Sequence, residues 1–125
     1  MNEIELLAPV GSFDALKAAV QNGANAVYLG GKDFSARASA NNFDREELIE
    51  AVKYAHIRDV RVFVTTNTLI KQDEIEDFVE YAKFLYDIDV DALIMQDIGV
   101  AMLIHELLPD FELHASTRSE ERRVG

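Results

Sequence analysis

Apolar and polar positions come in blocks along this chain. Residues 4–8, apolar but for Glu5, predict a short first strand, and Pro9, Gly11 and Ser12 interrupt it. Ser12 is the predicted N-cap of a helix that extends to about Asn22, where Gly23 fits a C-terminal cap. Residues 26–29 form a second apolar run that ends in Gly30-Gly31, and a longer loop follows through Asn42. The next helix is well marked: Asp44 caps it, Glu47 completes a capping box, and Phe43 with Leu48 supplies a hydrophobic staple. Residues 60–64 are β-branched and aromatic and predict a third strand, ending in the polar stretch Thr65-Thr66-Asn67-Thr68. Asp73, with Glu76 three residues on, is the expected cap of a helix whose positions Ile75, Phe78, Val79, Ala82, Leu85 and Tyr86 keep helical spacing. Residues 92–95 predict a fourth strand ending in Gln96-Asp97. A strongly apolar helix over 98–108, stopped by Pro109, leads to a fifth strand over 111–115.

The order is therefore βαβαβαβαβ, which predicts a parallel sheet. The strands are near-continuous apolar runs, so both sheet faces are expected to be covered, as in a barrel or a doubly wound sheet. Gly23-Ala-Asn-Ala-Val27 and Asp89-Val-Asp-Ala-Leu93 are short echoes of one βα unit. A complete barrel needs eight units and about 250 residues, and this pattern supplies about half of that. The expectation is the N-terminal half of a (β/α)8 barrel over residues 1–117, with 118–125, which lack apolar periodicity, as an unstructured tail.

Composition narrows the chemistry. The chain has 125 residues, 49% of them hydrophobic, enough for a real core. It shows no apolar run long enough to cross a bilayer and no signal-peptide pattern at its start, so the cytoplasm is the expected location. Cysteine is absent, which removes disulfides, thiol nucleophiles and thiolate metal sites from this segment. The formal net charge of -11, from 23 acidic and 12 basic residues, comes without a Lys/Arg stripe, so no direct nucleic-acid binding and no membrane contact are expected from it. No metal-ligand set is expected within the chain.

In parallel α/β folds the ligand sits at the carboxyl ends of the strands. That rule selects Ser12; Gly30, Gly31 and Arg37; Asn67; Gln96 and Asp97; and His114, Ser116 and Thr117. His114 and Asp97 are the catalytic candidates. An imidazole at a strand end exchanges protons near neutral pH, and Asp97 either serves as a base beside it or caps the helix at Ile98. Arg37, Asn67, Gln96, Ser116, Thr117, Gly30 and Gly31 are the substrate-binding candidates. Arg37 offers a bidentate fork for a carboxylate or phosphate, Asn67 and Gln96 offer hydrogen bonds, and the glycines permit close backbone approach. Lookalikes fall away. His105-Glu106 lacks the second histidine of a zinc-protease helix, since Pro109 stands there, and no G-x-S-x-G elbow exposes a serine nucleophile. His56, in the last turn of its helix, reads as structural.

Three stretches carry a family resemblance: Glu5-Leu-Leu-Ala-Pro-Val-Gly-Ser12, Gly23-Ala-Asn-Ala-Val-Tyr-Leu-Gly-Gly31 and His114-Ala-Ser-Thr117. With Ala36-Arg37-Ala38, Asn42-Phe43, Thr66-Asn67-Thr68 and Gln96-Asp97, they resemble the N-terminal region of the collagenase-like, or U32, peptidase family. The resemblance implies a barrel-type domain labelled a peptidase of unknown catalytic type, acting on a peptide or small molecule. It also implies an alternative: members that act as hydroxylation factors for RNA bases or quinone rings, with an iron-sulfur cluster held by cysteines downstream of this region. No cofactor is expected within the chain itself. A third reading is a non-catalytic half-barrel acting as a binding or assembly module. After Thr117 the sequence is expected to depart from the family pattern.

Half a barrel has open sheet edges and an incompletely covered core. Marginal stability, or self-association through those edges, is therefore expected of the isolated 125 residues. Analytical ultracentrifugation with chemical denaturation tests this, and a monomer with one steep, cooperative transition would defeat it.

Overall fold

The computed structural model describes residues 6–34, 42–66, 69–116 and 121–124. Five parallel strands alternate with four helices: β1 Leu7–Pro9, α1 Phe13–Gln21, β2 Ala26–Gly30, α2 Arg45–Ile57, β3 Arg61–Thr66, α3 Ile75–Asp87, β4 Ala92–Met95, α4 Ile98–Leu107 and β5 Glu112–Ser116. A sixth strand, β6, covers Glu121–Val124. None of the helices among the described residues is long and apolar enough to cross a membrane.

Helix starts follow their caps. The Ser12 hydroxyl accepts from Ala15 N at 3.1 Å. The box at α2 is complete, with Asp44 accepting from Glu47 N at 2.8 Å and Glu47 accepting from Asp44 N at 3.0 Å. At α3 the expectation of an Asp73 cap is corrected. The chain turns helical earlier, through a 3-10 turn over Gln72–Glu74, so Asp73 already lies inside a turn. There the Glu74 carboxylate accepts from Lys71 N at 3.0 Å.

Three helices end alike. Gly23, Asp59 and Asp89 each adopt a left-handed backbone, with φ of 88°, 61° and 70°. The N–H of the following residue reaches back five positions in each case: Ala24 to Ala19 O, Val60 to Ala55 O and Val90 to Leu85 O. This double turn satisfies the last carbonyls and aims the chain into the next strand. The echo between residues 23–27 and 89–93 has a structural meaning at its third position. Asn25 accepts from Leu6 N at 2.8 Å, and Asp91 accepts from Val62 N at 2.7 Å, so each side chain ties a strand start to its neighbour.

The sheet order is β1-β2-β3-β4-β5-β6. Consecutive strands wound in one direction put all four helices on one face, as in a barrel wall, whereas a doubly wound sheet splits them between two faces. Val27, Leu29, Val62, Val64, Leu93, Met95 and Leu113 join the helix residues Leu16, Leu48, Val52, Phe78, Leu85 and Ile104 in the main core. Ala26, Phe63, Ala92 and Ile94, with Tyr28 against them, form a separate cluster on the other face. Val10 N donates to Tyr28 O at 3.0 Å, which turns Pro9 toward the outer edge of β1, where its missing N–H breaks no ladder bond.

The expectation of an unstructured 118–125 is corrected for residues 121–124. They pair antiparallel with β5, in the register Leu113↔Val124, His114↔Arg123, Ala115↔Arg122 and Ser116↔Glu121. Apolar periodicity reports side-chain burial and is blind to this event, because the backbone N–H and C=O groups of a free sheet edge recruit a strand regardless of side-chain polarity. Strand β3 also runs two residues further than expected, taking in Thr65 and Thr66.

Above the carboxyl end of β2, an aromatic group packs Phe34 against α3. Phe43 N donates to Gly30 O at 2.9 Å and Lys32 N donates to Phe43 O at 2.8 Å, so the two ends of the loop are hydrogen-bonded together. Phe34, at φ 56°, packs edge-on to Phe78 and tilted to Tyr81. Arg45 pairs with Asp33 at 2.9 Å and lies over the rings of Tyr81 and Phe84, at 5.5 and 5.0 Å from their centroids. The Tyr81 hydroxyl is buried, occupies the space a side chain at Gly31 would need, and finds no hydrogen-bond partner among the described residues. Burial, and next the negative charge of Asp33, push its ionisation above the usual range, with Arg45 opposing. A buried hydroxyl without a partner carries a desolvation cost of about 1–3 kcal/mol. Tyr81→Phe is therefore expected to raise stability by about 1 kcal/mol in urea unfolding. A loss of stability would show that the hydroxyl has a partner.

Candidate active site at the carboxyl ends of the strands

Side chains alternate across a strand, so the register decides what meets what. One transverse row of Cα partners contains Gly30, Thr65, Ile94 and His114. The row below it, toward the amino ends, contains Tyr28, Phe63, Ala92 and Glu112. Phe63, Ala92 and Ile94 pack together on the face without helices, and His114 stacks on Phe63 with centroids 6.0 Å apart and planes 28° apart. Arg61 lies over the same Phe63 ring at 5.4 Å. Behind the imidazole, Glu112 Oε2 stands 2.9 Å from His114 Nε2, with the two side chains 33% and 23% exposed. The pair is thus screened from bulk water but reachable from the rim.

The floor of the rim is tight at β2. A side chain on Gly30 would meet Asn42 Oδ1 at 3.0 Å and Thr65 Oγ1 at 3.7 Å, so glycine here lets the Asn42 carboxamide come over the strand end. Thr65 Oγ1 donates to Leu29 O at 3.3 Å. Gly31 makes room for Tyr81, which gives it a packing role.

Asp97 is fully engaged with backbone. Its Oδ1 accepts from Val100 N at 3.1 Å, capping α4, and its Oδ2 accepts from Ile70 N at 3.1 Å, tying the segment after β3 to the start of α4. The carboxylate therefore builds the rim, and the capping alternative is the role its contacts describe. Gln96 is exposed at the end of β4 and Ser116 ends β5. Ser12 is used as a cap. Arg37, Asn67 and Thr117 lie outside the described residues.

Glu112, Phe63, Tyr28, Thr65 and Asn42 are not among the site candidates that the sequence selects. A signal was there: with His114 on one face, position 112 of the same strand must share it. His56 lies in the last turn of α2. It meets Asp91 Oδ2 at 2.7 Å at the amino ends of the strands, and the same oxygen accepts from Val62 N. His105 is half-buried, with Nδ1 enclosed and unpartnered among the described residues.

No group of three or more His, Cys, Asp or Glu side chains able to hold a metal occurs among the described residues. The chain has no cysteine. These residues do not fit an iron-sulfur cluster, and none of the chemistry below runs through one.

The model of Peptidase family U32 matches residues 11–124, which includes the stretch after Thr117 where a departure was expected. An uncharacterized protease of Methanocaldococcus jannaschii is 41% identical over 115 residues, covering 92% of this chain and 28% of that protein. The 23S rRNA 5-hydroxycytidine synthase of Escherichia coli is 40% identical over 123 residues, covering 98% of this chain and 18% of that protein. The tRNA hydroxylation protein P1 of Bacillus subtilis is 36% identical over 114 residues, covering 91% of this chain and 27% of that protein. The chain thus spans between 18% and 28% of the length of these relatives. A solved U32 peptidase structure superposes with a TM-score of 0.68 at 13% identity, over 93% of this chain and 50% of that one, a likeness of fold alone. With five parallel strands in consecutive order and a family match from Gly11 to Val124, the chain belongs to peptidase family U32.

Proposed function

We propose that this chain forms one wall of the active site of an RNA-base hydroxylation protein, and that its helix-free sheet face receives the planar base. The observation that carries this reading is the Phe63–His114 stack, flanked by Tyr28 and Ile94 near the strand ends. A flat apolar surface with one polar, proton-exchanging edge suits a nucleobase, which offers a π-face and a hydrogen-bonding rim. Relatives named for rRNA and tRNA hydroxylation, at 40% and 36% identity, support it. The net charge of -11 assigns the grip on phosphates to protein outside this segment. Any iron-sulfur cluster serving the reaction is likewise ligated from outside these cysteine-free residues. An RNA substrate agrees with a cytoplasmic location.

Peptide hydrolysis is the second reading, favoured by the His114–Glu112 pair, which has the form of a base with its orienting carboxylate. Against it, Ser12 is committed to its helix and no thiol exists in this segment. Arg37, Gln96, Asn67, Ser116 and Thr117 remain proposals as substrate contacts in either reading.

Deleting the gene from its host and digesting rRNA and tRNA for nucleoside mass spectrometry separates the two. The proposal expects one hydroxylated nucleoside to disappear and to return with the wild-type gene. With Phe63→Ala it should return at a level about tenfold lower, the scale of one lost aromatic stacking contact. An unchanged nucleoside profile would refute hydroxylation.

A further inference from the structure

We infer that Glu112 is a positioning residue that fixes His114 in the tautomer with its proton on Nε2, leaving Nδ1 as the acceptor offered to an N–H of the substrate ring. The inference rests on the proposed function only for what meets Nδ1. The orientation itself stands on the geometry.

An ionised carboxylate can only accept hydrogen bonds. With Glu112 Oε2 at 2.9 Å, Nε2 must be the donor, and in a neutral imidazole the lone pair then belongs to Nδ1. No partner for Nδ1 occurs among the described residues. Strand geometry adds direction. Glu112 pairs with Ala92 and His114 with Ile94, so the carboxylate sits one row toward the amino ends and the imidazole one row nearer the rim, where a ligand arrives. Phe63 holds the imidazole plane by stacking, and Arg61, over the same Phe63 ring at 5.4 Å, is the nearby cation of β3. Two side chains thus restrain the ring, one by a charge-assisted hydrogen bond and one by its face. An Nδ1 acceptor recognises a ring or exocyclic N–H, the donor edge that cytosine carries at its amino group. The same position offers nothing to a ring edge made of acceptors alone.

The test is long-range proton–nitrogen NMR on the imidazoles of the 125-residue chain, with Glu112→Gln as the near-isosteric variant. The wild type should show Nε2 protonated, with a slowly exchanging, low-field Nε2–H signal, and Nδ1 unprotonated in the neutral ring. Glu112→Gln, whose amide can donate as well as accept, should shift that signal upfield and populate both tautomers while the backbone spectrum stays native. A wild-type proton on Nδ1, or a variant spectrum identical to wild type, overturns the inference. A variant that fails to fold leaves the wild-type tautomer as the deciding measurement. In the gene-deletion host, Glu112→Gln should lower the hydroxylated nucleoside about tenfold, as loss of an orienting partner does. If wild type restores no nucleoside, the functional reading fails while the NMR result still decides the tautomer.

Discussion

The parallel backbone ladder, with its period of two, is the constraint from which the rest follows. Because β2, β3, β4 and β5 pair in one continuous register, residues distant in sequence are set into rows. Helices occupy one face, and that face takes Val27, Val64, Leu93 and Leu113. The alternate positions have no choice but the other face, where Phe63, Ile94 and His114 meet. A slip of one residue in β5 would send both His114 and Glu112 into the helix layer.

Holding that register falls to polar groups at the two ends of the sheet. At the amino ends, left-handed turns at Gly23, Asp59 and Asp89 deliver each chain segment, while Asn25 and Asp91 pin the strand starts to their neighbours. At the carboxyl ends, Asp97 bridges the segment after β3 to α4 and the Gly30–Phe43 pairing closes the base of the β2 loop. These contacts form a frame, above which the strand ends present their side chains. Asp97 belongs to the frame and His114 to the display.

The sequence exposed much of this and concealed some of it for identifiable reasons. Caps at Ser12, Asp44 and Asp97 are local interactions, written within three or four residues, and they read directly. Strands β2 to β5 were legible as apolar runs, yet the same uniformity hid which alternate residues face the helices. That is why Phe63 and Glu112 escaped notice beside His114, which its residue type and strand-end position single out. β6 was illegible because its partner is an edge, a property of the folded sheet and not of the segment Glu121–Val124. The role of Gly31 depends on Tyr81, fifty positions along the chain, and no spacing rule reports such a contact.

The chain joins membership of family U32 to a helix-free sheet face on which Phe63 and His114 stack. The most direct check of the central claim is nuclear Overhauser spectroscopy on the labelled chain. The register requires close contacts between the Phe63 ring and the His114 imidazole. It also requires the backbone pattern of parallel neighbours between Thr65 and Ile94 and between Ile94 and His114. Strong Hα–Hα contacts between these strands, the mark of antiparallel pairing, or no contact between Phe63 and His114, would contradict the account.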